Sequence, residues 1–96
     1  MLIFLLLISP VTGTDWSLET VDSPGDTGWY TSLALDTSGN PRIGYLDWTN
    51  HRLKYAEKTD GTWTTETVDS TSTSGEFASL SLDSASQPVL TYYDSN

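Results

Sequence analysis

The sequence predicts an all-β protein built from four-stranded antiparallel units, and three observations carry that prediction. The stretch Trp16-Ser17-Leu18-Glu19-Thr20-Val21-Asp22-Ser23 returns as Trp63-Thr64-Thr65-Glu66-Thr67-Val68-Asp69-Ser70, 47 positions later. The offset from 16 to 63 holds without a gap to the end of the chain, so that Gly28 maps to Gly75, Leu35 to Leu82, Pro41 to Pro88 and Tyr45 to Tyr92. A fixed period in this range marks a repeat architecture. Finally, no segment carries helical periodicity over a useful length, while short runs rich in Thr, Val, Tyr, Trp, Ile and Leu alternate with turn residues.

Taken in order, strands are expected near 15–22, 31–36, 41–47, 53–58, 62–69, 78–83 and 88–94. Asp36-Thr37-Ser38-Gly39-Asn40-Pro41 closes one hairpin and Lys58-Thr59-Asp60-Gly61 another, since Asp-Gly supplies a tight turn. Trp48-Thr49-Asn50-His51-Arg52 is a third loop. Three short loops make each unit a meander. Longer connections, 22–30 and 69–77, lead into the next unit. Four-stranded units of forty-odd residues joined by one longer crossing have the organisation of β-propeller blades. Residues 31–69 form one complete blade and 78–96 begin the next. Residues 15–22 match a fourth strand and are read as the outer strand that closes a ring. The ring is incomplete, and the intact propeller is expected to hold about five to eight blades. Open strand edges and an uncovered face predict that residues 14–96, expressed alone, self-associate or remain partly unfolded.

The first 13 residues stand outside the period. Leu2 to Ile8 is a continuous apolar run followed by Ser9-Pro10 and Val11-Thr12-Gly13. This reads as the apolar region and cleavage site of a secretory signal peptide, or its remnant, although no Lys or Arg precedes the run. A buried strand is the alternative. The run is too short to span a bilayer as a helix. The chain carries 4 Lys and Arg against 13 Asp and Glu, a net charge of −9. That balance argues against nucleic acid and anionic membrane as partners. With no cysteine, no disulfide reinforces so short a chain. The surface suits an extracellular protein.

The unit resembles the β-propeller repeats of secreted bacterial and archaeal proteins. The residues that carry the resemblance are Ser32, Leu35, Asp36, Gly39, Pro41, Ile43, Tyr45, Asp47, Leu53, Tyr55, Ala56, Gly61, Trp63, Glu66, Val68 and Asp69. It covers 15–96 and implies architecture, not activity.

The recurring carboxylates Asp36/Asp83, Asp47/Asp94 and Asp22/Asp69 read as turn caps, with calcium ligation the alternative. His51 is the one histidine and forms no zinc site without further ligands. No catalytic residue, metal or cofactor is assigned. Trp16/Trp63 and Tyr45/Tyr92 repeat and are explained by packing. Trp29 and Trp48 do not, since Glu76 and Ser95 stand at their counterparts. Alternate loops of a meander lie on one edge, so Trp29, Trp48, His51 and Asp47 are expected together as a ligand-binding face, with a glycan or protein as partner. The expected function is a secreted, non-enzymatic binding or scaffold module. The rival is a fragment of a propeller-fold glycan hydrolase or lyase. The one complete inner strand, Ser32 to Asp36, offers no acid or base before its last residue, which weighs against the enzyme.

Overall fold

A computed structural model describes residues 1–7, 15–71 and 74–95. Among them lie eight strands and no helix: β1 (Leu2–Leu7), β2 (Trp16–Asp22), β3 (Thr27–Leu35), β4 (Pro41–Asp47), β5 (Arg52–Thr59), β6 (Thr62–Asp69), β7 (Ser74–Leu82) and β8 (Pro88–Asp94). They form three antiparallel sheets, β1-β2, β3-β4-β5-β6 and β7-β8. The central sheet follows sequence order, as short loops require. Of the apolar run at the start, Leu2–Leu7 is β1. Residues 8–13 lie outside the described residues.

Local chemistry sets the turns. The Asp36 carboxylate accepts hydrogen bonds from Ser38 N (2.9 Å) and Asn40 N (2.8 Å). Asp83 does the same for Ala85 N (2.8 Å) and Gln87 N (2.9 Å). Both side chains therefore close their own loops. The Asn40 N–H in particular, with help from Arg42, holds the Asp36 carboxyl down at about 2. Ser86 takes the left-handed backbone of Gly39, φ 60° against 81°. Asp60 and Gly61 both have positive φ, the signature of a type I′ two-residue hairpin.

β3 and β7 begin four residues earlier than alternation suggests. Their first residues pair across two bulges, Thr27 with Asp47, Trp29 with Leu46, then Ser32 with Gly44. Bulges break the two-residue alternation that marks a strand in sequence. At these bulges Gly28 and Gly75 have φ of 101° and 110°, and Tyr30 and Phe77 have φ of 51° and 54°.

The central sheet is covered on both faces, each in part. On one face Ile43, Tyr45 and Ala56 pack with Leu2, Phe4 and Val21 of the β1-β2 sheet, and Trp63 joins at the margin. Polar links cross this layer as well. The Tyr45 hydroxyl (2.8 Å) and Lys54 Nζ both donate to Asp22, and Lys58 Nζ and Trp63 Nε1 (2.8 Å) donate to Glu19. On the other face lie Gly44, Leu46 and Leu53, covered by β7-β8. A Cβ on Gly44 would come within 2.5 Å of Leu90 Cδ2, so β8 approaches where a side chain is missing. The hydroxyl of Tyr92 donates to Asp69, as Tyr45 does to Asp22.

Candidate functional site

Trp29, Trp48, His51 and Asp47 share one edge of the central sheet. Trp48 to His51 form the loop joining β4 to β5. Asp47, 5 % exposed, anchors it by accepting Asn50 N (3.2 Å) and Asn50 Nδ2 (2.8 Å). Trp48 O accepts His51 N (3.4 Å), and His51 turns the chain with φ 52°. Asp47 thus builds the loop from beneath, while the rings stand above it.

The connection from β2 to β3 is clipped to this loop by Asp26. Its carbonyl accepts Trp48 N (2.9 Å) and Thr49 N (3.3 Å), and its N–H donates to Thr49 Oγ1 (2.7 Å). Its carboxylate accepts Trp29 Nε1 (2.9 Å), which sets the plane of the indole. Gly25, φ 72°, lets the backbone pass over Thr49, whose Oγ1 would lie 2.8 Å from a Cβ at that position.

The two indoles stack with centroids 5.2 Å apart and planes 28° apart. His51 lies 5.5 Å from Trp48. Beyond Trp29 the row continues through Tyr30 (6.3 Å) to Phe77 (4.6 Å further). Trp29 is 43 % and Trp48 40 % exposed. An aromatic stack contributes about 0.5–1.5 kcal/mol beyond burial, enough to hold two half-exposed rings in register.

Sequence reasoning missed Asp26. The signal was available, because Asp26 has Thr73 at its counterpart and so, like Trp29 and Trp48, does not recur. Among the described residues no group of three or more His, Asp or Glu side chains is placed to hold a metal ion. What the edge offers is flat apolar faces bordered by hydroxyl, amide and imidazole groups.

No protein family, no curated protein and no solved structure matches the chain.

Proposed function

We propose that this chain is an extracellular, non-enzymatic β-propeller segment serving as a binding or scaffold module, and that the Trp29–Trp48 edge takes a glycan. The observation that carries this reading is the stacked, half-exposed indole pair held by Asp26 at positions that the packing pattern does not require. The apolar C–H face of a sugar ring suits an indole face, and its hydroxyls suit Thr49, Asn50 and His51. The blade arrangement is supported by the sequential four-stranded sheet covered by further sheets on both faces. Export is supported by the acidic, cysteine-free composition. The edge itself is built from residues 25–51 alone.

The test is Trp48→Ala, titrated calorimetrically against a panel of soluble oligosaccharides. Binding is expected to weaken about tenfold or more, roughly 1.4 kcal/mol. The melting temperature should fall by only a few degrees, because the ring is exposed and loses one stack. A large loss of stability with unchanged binding assigns Trp48 to packing. Absence of binding across the panel leaves the scaffold role alone.

A further inference from the structure

The two outer sheets are complementary halves of the central one. Pairing within β1-β2 follows that of β5-β6. Leu2 pairs with Asp22 as Leu53 does with Asp69, a register shift follows in both, and Ile3↔Thr20 to Leu7↔Trp16 repeat Lys54↔Thr67 to Lys58↔Trp63. β7-β8 follows β3-β4 in the same way, from Ser74↔Asp94 (Thr27↔Asp47) to Leu82↔Pro88 (Leu35↔Pro41), with shifts at the same two places. In the central sheet the halves join along β4 and β5, from Arg42↔Glu57 to Asp47↔Arg52. Among the described residues the equivalent edges of β8 and β1 are both open.

We propose that these edges join between copies, with β8 of one chain pairing with β1 of a second. The register follows by equivalence: Leu90 opposite Leu5, Thr91 opposite Phe4, Tyr92 opposite Ile3 and Tyr93 opposite Leu2. The faces agree. Leu2 and Phe4 already face their own central sheet, while Ile3, Leu5, Trp16 and Leu18 form an exposed apolar face on the other side of β1-β2. In the joined unit that face lands in a groove of about 350 Å³ on the first copy, bounded by Tyr55, Glu57, Glu66 and Pro88. The indole of Trp16 then donates to Glu66, as Trp63 does to Glu19 within one chain. Exposed Leu33 and Leu35 are covered by β7 of the first copy, as β3 is covered here by β7, where Leu80 N donates to Ser32 Oγ (3.0 Å).

The groove is shaped for a β1-β2 hairpin, and each copy's own β1-β2 already lies on the opposite face of its central sheet, so a second copy supplies the one that fills it. Each copy contributes two units, and such a head-to-tail contact closes into a ring when its rotation permits. Rings of about four to eight units require two, three or four copies. The interface needs Leu2–Leu7 in place, so it belongs to the untrimmed chain. It rests on the blade arrangement proposed above and not on sugar binding.

Light scattering on the eluting full chain is expected to give one discrete mass of two, three or four times 10.5 kDa. The chain has no cysteine, so the double variant Ile3→Cys, Tyr92→Cys reports the contact alone. Positions 3 and 92 lie on sheets at opposite faces of the central one within one copy, and oxidation should therefore yield covalent multiples on a non-reducing gel. Ile3→Cys alone should yield none. Leu5→Lys, at a site exposed in the single chain, should weaken association about 100-fold by burying an unpaired ammonium, while strand content by circular dichroism is kept. A monodisperse monomer, an assembly that the cysteine pair fails to link, or a Leu5→Lys assembly of unchanged mass would each overturn the proposal. None of these readouts uses a sugar, so failure of assembly and failure of binding are seen separately.

Discussion

Gly75→Ala is expected to destabilise the protein by about 3 kcal/mol, lowering its melting temperature by more than about 10 °C. Two costs add. The backbone at Gly75 has φ 110°, where an L side chain is strained. A Cβ there would also stand 3.0 Å from Leu53 Cα and 3.1 Å from Leu53 N, backbone atoms of the central sheet that cannot turn aside. Gly61→Ala is the control. It has φ 78° and nothing within 4 Å, so only the conformational cost of about 1 kcal/mol applies. Gly28→Ala should resemble Gly75→Ala, because its Cβ would meet Leu2 Cα at 3.1 Å in the same relation. Thermal melts of the three variants check this. Equal losses for Gly75→Ala and Gly61→Ala would show that β7 does not lie against β5.

Asp22→Asn is expected to cost about 2–3 kcal/mol at neutral pH and to flatten the acid limb of the stability profile. Burial works against ionisation of Asp22, yet the bonds from Lys54 and Tyr45 outweigh it and hold the carboxyl below its ordinary value of 3.8. A group depressed in this way stabilises the fold fully above that ordinary value. Its contribution is lost as pH falls through the lower folded value. Glu19, held below its ordinary value of 4.5 by Lys58 and then Trp63, contributes with the same sign. On the alkaline side burial, with Asp22 adding to it, raises the Tyr45 hydroxyl above 10. Its contribution is complete below about pH 10 and is lost as pH climbs toward the raised value. Denaturant unfolding of wild type and Asp22→Asn between pH 2 and pH 7 measures the acid effect. Parallel profiles would remove Asp22 from the account.

Much of the strand order was legible because its determinants are local. Asp36 and Asp83 announce their turns through side chains that bond amides two and four residues on, and Asp60-Gly61 announces a hairpin by backbone preference. Tyr45 was identifiable as a packing residue because it recurs, and it is fully buried, whereas its counterpart Tyr92 is 39 % exposed. The starts of β3 and β7 were not legible, since bulges at Gly28 and Tyr30 remove the alternation that would show a strand. The pairing of Leu2–Leu7 with β2 was obscured differently. Its residues stand 51 positions from their structural equivalents in β5, not 47, so no gap-free comparison aligns them. At the candidate site, Trp29 and Trp48 stood out by failing to recur. The buried anchoring role of Asp47 depends on Asn50 closing over it, and the clip at Asp26 on a contact between two loops. Neither follows from spacing along the chain.

The most direct measurement on the binding edge is a proton–nitrogen NMR titration of the four tryptophan indoles with the soluble oligosaccharides. Each indole N–H gives one signal, and the structure separates their surroundings. Trp29 and Trp48 stack on the loop edge, Trp63 is bonded to Glu19 beside β1-β2, and Trp16 lies on the outer face of that sheet. The account predicts that a bound sugar shifts the Trp29 and Trp48 signals together and saturably, leaving Trp63 and Trp16 in place. Shifts confined to Trp16 or Trp63, or no shift at any indole, would contradict it.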